Sequence, residues 1–228
     1  MKRAINTRQR ILKTAMMLFN EKGTRAVTTN HIAAAMGISP GNLYYHFRSR
    51  EDIIRAILDL MDERGFEAVK RIEREAAPGS LEALEMNFRM IQEINWQFRF
   101  FKRELPVLIM NDPALKKRFK QSHDTILFMI QDSLHRATEK GLLMKMDDET
   151  INLLAHELWL VILFWLNYLE ISGMKVTKKT IARGSDILRD ILQSKMSKGK
   201  SGETVNQLIV KKPRKCKRPY NIDEQERK

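Results

Sequence analysis

Asn42, Tyr44, Tyr45 and His46 bring amide, phenol and imidazole groups together directly after Ser39, Pro40 and Gly41. These groups exchange hydrogen bonds and stack, and their chemistry is recognition. Ser39 offers an N-cap oxygen, and Pro40 suits the first helical position, where a missing N–H costs nothing. The N–H groups and dipole of that helix start attract a phosphate. A short helix carrying such side chains on its outer side fits the major groove of DNA, about 12 Å wide. Bond-making chemistry is not legible elsewhere. There is no G-x-S-x-G elbow and no P-loop, and His156-Glu157 lacks the second His that a zinc helix needs. The single Cys216 sits among Lys and Arg with nothing to orient it as a nucleophile. It excludes an intramolecular disulfide framework and a multi-thiolate zinc site. The expectation is a non-enzyme without catalytic residues, metal or cofactor, in a reducing, cytoplasmic compartment.

The elements that must hold these groups are helices. Ile11, Leu12, Ala15, Met16 and Phe19 follow a 3.6-residue stripe that Gly23 stops. Thr28 or Thr29 caps a second helix ending at Gly37, and Ser39 starts a third that runs to about Phe47. Residues 28–47 read TTNHIAAAMGISPGNLYYHF, a helix-turn-helix pattern. Ala33 lets the next helix approach, Gly37 supplies a positive φ, Ile38 plugs the angle between helices, and Leu43 points to the core. Tyr44 and Phe47 also suit a core, and His31 and His46 suit plain surface positions. Ser49 with Asp52 reads as a capping box for a fourth helix to Ala77, with Ile53, Ile54, Ile57, Leu58 and Met61 as its apolar face. Further helices are expected at 81–96, 97–109, 113–140, 148–171 and 177–194, with breaks at Pro106, 111–113, Gly141 and Gly173. No strand alternation and no internal repeat is evident.

The charge divides along this plan. The 228 residues carry 41 Lys and Arg against 28 Asp and Glu, net +13. Residues 1–50 hold nine basic residues against one acid, and 195–228 hold eleven against four, while the middle is slightly acidic. A basic head, an acidic body and a basic tail assign polyanion contact to the head. The expected domains are 1–50, 51–194 and 195–228, the last a solvated extension whose cluster 211–218, KKPRKCKR, would either add nonspecific DNA affinity or have no role. The longest apolar run, 158–166, is nine residues, short of the roughly 20 that span a bilayer, and no secretory segment is read after Met1. A soluble chain with no membrane partner is expected.

The stretch from Thr28 through GISPGNLYYHF to Ser49, Arg50 and Glu51 resembles the DNA-binding signature of the tetracycline-repressor (TetR) family of bacterial one-component regulators. The resemblance covers residues 7–57, about a quarter of the chain. It implies that Thr28, Thr29, Tyr44, His46 and Arg50 hold phosphates, while Asn30, Pro40, Gly41, Asn42 and Tyr45 lie near bases. Arg50 departs from the usual Lys. Arg3, Arg8, Arg10 and Lys13 would add backbone contacts. The fold implied is all-α, an N-terminal three-helix helix-turn-helix domain followed by a larger C-terminal helical bundle for ligand binding and dimerisation.

For that body the run LWLVILFWL at 158–166 is apolar all round and needs burial on two sides, one against a twin helix. Leu158, Ile162, Trp165, Leu188 and Ile191 are the expected dimer contacts. Phe88, Trp96, Phe101, His123, Phe128, Trp159 and Asn167 are the candidate effector contacts, in a Met-rich, aromatic interior suited to large apolar molecules. The resulting expectation is a homodimeric repressor released from a palindromic double-stranded operator by a small apolar or amphipathic effector. The resemblance implies that ligand shifts the helix from Arg50 onward and so alters the spacing of half-sites ~34–36 Å apart. The alternatives are a structural or protein-partnered DNA binder without effector, which a sealed body would favour, and an activator.

Overall fold

The computed structural model describes residues 7–197. Among them the chain forms α1 (Thr7–Lys22), α2 (Thr29–Met36), α3 (Pro40–His46), α4 (Arg50–Glu75), α5 (Leu81–Gln97), α6 (Arg99–Asn111), α7 (Pro113–Glu139), α8 (Asp148–Ile171) and α9 (Lys178–Gln193). The described residues contain no strand, only a single antiparallel bridge between Leu143 and Met196. Arg3, Cys216 and the cluster 211–218 lie outside the described residues.

Local chemistry sets the head. Thr28 accepts from the His31 N–H at 3.3 Å, and the Thr28 N–H donates to His31 Nδ1 at 3.2 Å, a reciprocal capping box. His31 therefore has a structural role that its surface position did not announce. Gly37 ends α2 at φ +65°, and the N–H groups of Gly37 and Ile38 donate to Ala34 and Ala33 at 3.1 Å. Ser39 caps α3 by accepting from Asn42, and Ser49 caps α4 by accepting from Asp52. The box expected at Ser49 closes on one side only. The Asp52 carboxylate turns instead to Arg55, at 2.5 Å.

The first core does not stop at residue 50. Ile11, Phe19, Ile32, Leu43, Phe47, Ile53 and Ile57 are buried together with Phe98, Phe100 and Phe101 around the start of α6. Each fully buried side chain of this size contributes roughly 1.5–3 kcal/mol. Head and body thus share one apolar interior. Polar clasps reinforce it. Asn20 donates to the Gln97 carbonyl at 2.8 Å and accepts from the Phe100 N–H at 2.9 Å, capping α6, for which Phe98 offers no side-chain cap. Glu104 accepts from the Thr24 N–H at 3.0 Å and from its hydroxyl.

The second core joins Phe88 of α5, Leu134 of α7, Ile151, Leu154 and Leu158 of α8, and Leu188 and Leu192 of α9. α8 is long and apolar enough to cross a membrane by length and composition alone, and eight of its side chains are buried in the protein. Two expected boundaries move. Pro106 lies inside α6 and not at a break, because buried Phe100, Phe101 and Leu105 hold that helix together despite the missing N–H. The solvated extension expected from residue 195 starts later. Met144 donates to the Lys195 carbonyl at 2.8 Å, Ser197 donates to Leu142 at 3.1 Å, and Met196 packs on the second core.

Candidate nucleic-acid interface and ligand cavity

α3 stands on Leu43 and Phe47, both buried, and turns its other residues outward. Asn42, Tyr44 and Tyr45 are exposed, Tyr45 by 87%, and His46 is partly so. The Tyr44 hydroxyl lies 3.2 Å from Thr29 Oγ1, joining α3 to the start of α2. Thr28, Asn30, Pro40 and Gly41 are exposed on the same two helix starts. A Cβ on Gly41 would meet only Ser39 Oγ, at 3.9 Å, so another backbone has open space to approach. Of the sequence-derived interface residues, Thr28, Thr29 and Asn30 stand at the start of α2, Pro40, Gly41 and Asn42 at the start of α3, Tyr44, Tyr45 and His46 at the end of α3, and Arg50 at the start of α4. Arg50, still partly exposed, also makes contacts within the molecule. Its guanidinium donates to Glu51 at 3.0 Å and to the Thr24 carbonyl at 3.1 Å, bracing α4 to the loop before α2. Arg8 lies over the Phe47 ring, 5.0 Å from its centre, while Arg10 and Lys13 are exposed on α1.

A cavity of about 240 Å³ opens between α4, α5, α7 and α8, with α9 along one side. Phe88, His123 and Trp159 stand on its wall. The other four residues expected there are displaced. Phe128 is 67% exposed, on the outer side of α7. Trp96 packs with Leu166, Leu169 and Ile181 under Arg99 and Lys178. Phe101 is sealed in the first core against Phe100 and Phe119. Asn167 donates to the Arg103 carbonyl at 3.1 Å.

Two charged groups on the wall, Lys102 and Asp62, escaped the sequence reading. Lys102 is buried with its ammonium 5.4 Å from the Trp159 ring centre. Burial pushes it down to about 8, and Asp62 opposes that fall. Asp62 is raised by burial, against the hydrogen bond it accepts from Ser122 and the attraction of Lys102. Trp159 donates to His123 Nδ1 at 2.6 Å. Asp62 Oδ1 and Asn95 Oδ1 are buried without a hydrogen-bond partner. The available signal was a charge in register with an apolar stripe: Lys102 falls four after Phe98 and three before Leu105, and Asp62 falls four after Leu58.

Of the expected dimer contacts, Leu158 and Leu188 are buried, while Ile162, Trp165 and Ile191 are half-buried. Leu158, Ile162 and Leu188 line the cavity, Ile191 packs on the second core, and Trp165 rests on Gly184. The large apolar side chains left exposed on α8 are Leu153, Leu160, Phe164, Tyr168 and, at its end, Ile171, with Ile187 on α9. A uniformly apolar run contains no information about which side faces the protein.

A basic helix-turn-helix head fused through a shared core to an all-helical body with an internal cavity defines a regulator that binds DNA. The profile described as bacterial regulatory proteins, tetR family, matches residues 11–57, and that described as TetR, bacterial transcriptional repressor, matches 52–196. The chain belongs to the TetR family of transcriptional regulators. It is 32% identical over 139 residues to the HTH-type transcriptional regulator UidR of Escherichia coli K12, covering 59% of this chain and 68% of that one. A TetR-family regulator from Marinobacter aquaeolei VT8 superposes with a TM-score of 0.76 at 29% identity, covering 85% and 92%. The SmeT–triclosan complex shares the fold, with a TM-score of 0.61 at 18% identity over 85% and 93%.

Proposed function

We propose that this regulator is a homodimeric repressor whose operator affinity falls when a small apolar or amphipathic molecule occupies the body cavity. The observation that carries this reading is the course of α4. Its first half, Ile53 to Leu58, packs under the reading head, and its second half, from Met61 to Ile72, lines the cavity. At 1.5 Å per residue its 26 residues make a rod of about 39 Å. A molecule wedged against the far half tilts the near half, and with it α3. The fold accommodates such a molecule in the triclosan complex of SmeT. An unsealed body also favours an effector over a purely structural DNA binder. Thr28, Thr29, Tyr44, His46 and Arg50 are proposed on phosphates, and Asn30, Pro40, Gly41, Asn42 and Tyr45 near bases. A cytoplasmic location suits such a protein.

The test is selection of random duplex DNA on the purified protein, then titration of the winner at several salt concentrations. A palindrome with half-sites a helical turn or more apart is expected. Recovery of no motif, with equal and steeply salt-dependent affinity on every duplex, overturns the reading.

A further inference from the structure

Taking the cavity as the effector site, we propose that it selects a compact, neutral, largely apolar molecule carrying a hydroxyl group, which docks between Lys102 and Asp62. The walls around these groups are apolar: Phe66, Val69, Phe88, Ile91, Ile126 and Ile162. A volume of about 240 Å³ lies just under the ~300–1,000 Å³ of pockets for drug-sized ligands, so two rings or a short chain suit it. Of the charged residues on this lining, Arg136 pairs with Glu73 and Asp132, whereas Lys102 and Asp62 have complementary needs that no such pair meets. Lys102 is 5% exposed, and its ammonium makes no hydrogen bond or ion pair to a described residue; it lies near the Trp159 ring and is attracted by Asp62. Its ammonium is a donor that lacks an acceptor. Asp62 accepts from Ser122 through one oxygen, and its other oxygen, Oδ1, is a buried acceptor that lacks a donor.

Buried polar groups bind strongly to whatever satisfies them and reject what does not. A ligand carboxylate would accept from Lys102 but set a second negative charge beside Asp62. A ligand ammonium would meet the opposite conflict. An ether or ketone accepts from Lys102 and leaves Asp62 as it was. A hydroxyl accepts from Lys102 and donates to Asp62 at once, without adding charge. Asn95 Oδ1, also buried and unpartnered on this wall, would take a second donor.

Three matched probes test this by calorimetry on the full chain at pH 7: 4-phenylphenol, its methyl ether 4-methoxybiphenyl, and biphenyl-4-carboxylate. The phenol is expected to bind at least about tenfold more tightly than the other two. With each variant checked for native helicity by circular dichroism, Asp62→Asn should shrink the preference for phenol over ether to within about threefold with ether binding little changed, whereas Lys102→Met should weaken phenol and ether by a similar factor. Equal binding of phenol and ether, tighter binding of the carboxylate, or no binding of any probe by the wild-type chain overturns the proposal. Anisotropy of labelled operator DNA with the same probes addresses the underlying reading separately. Hydroxyl-selective binding that leaves DNA affinity unchanged sinks the effector role while the site stands. DNA release by all three probes alike keeps the effector role and sinks the hydroxyl preference.

Discussion

Tyr45 makes one ring contact, edge-on to His46 at 5.2 Å, and is otherwise open to solvent. Tyr45→Ala should therefore leave urea stability within about 0.5 kcal/mol and remove about 1–3 kcal/mol of discrimination at one base position, read by repeating the duplex selection. Arg50→Ala should instead weaken every sequence about equally, since phosphate contacts carry no base information. An unchanged motif in the first variant, or an altered one in the second, would reverse the two roles. Lys102 gives a prediction in pH. Its folded value of about 8 lies below the ordinary 10.5, so between these the unfolded chain binds more protons and stability rises with pH. The burial penalty is complete below about pH 8 and absent above about 10.5. Denaturation of wild type and Lys102→Met from pH 7 to 10.5 should show their difference move in favour of wild type by an amount of order 3 kcal/mol. A constant difference would mean that water reaches the ammonium freely.

At the scale of elements, α8 and α9 approach closely at Gly184. A Cβ on Gly184 would stand 2.7 Å from Trp165 Cδ1, and the ring is held by its hydrogen bond to the Thr180 carbonyl at 3.0 Å. Gly184→Ala should cost about 1–3 kcal/mol by overpacking, and Trp165→Leu in the same chain should recover most of it; additive losses in urea melts would refute the clash. This pair also marks where sequence reasoning ended. The head was legible because short-range rules specify it: Thr28, Ser39 and Ser49 each precede a helix and cap it, and Gly37 takes the positive φ its turn requires. Ile38 and Leu43 follow from apolar spacing. What was not legible depends on partners distant in sequence. Asn20 and Glu104 clasp head to body across about 80 residues, and no local pattern pairs them. Within 158–166 every residue is apolar, so periodicity could not tell Leu158, which faces the cavity, from Leu160, which faces out.

For the whole molecule, the apolar stripe of Leu153, Leu160, Phe164 and Tyr168 on α8, with Ile187 on α9, is the face on which a second copy would close a four-helix contact. If the proposed homodimer closes on this face, replacing Leu160 and Phe164 together by Glu, which touches neither core, should halve the mass seen by light scattering and lower operator affinity. A double variant that stays dimeric would move the interface elsewhere. The other global quantity is charge. Residues 198–228 hold ten Lys and Arg against four acids, beside a head that carries nine against one, so both ends of the chain favour the same polyanion. Charges that touch only phosphates add affinity without sequence preference, and each released counterion steepens the dependence of binding on salt. Deletion from residue 198 onward leaves the Met144–Lys195 and Leu142–Ser197 hydrogen bonds intact. The shortened chain should lose affinity by a similar factor on the selected duplex and on random DNA, with a shallower slope of log affinity against log salt. An unchanged slope would show that this basic segment does not touch the duplex, leaving the charge of the head to account for the electrostatic attraction by itself.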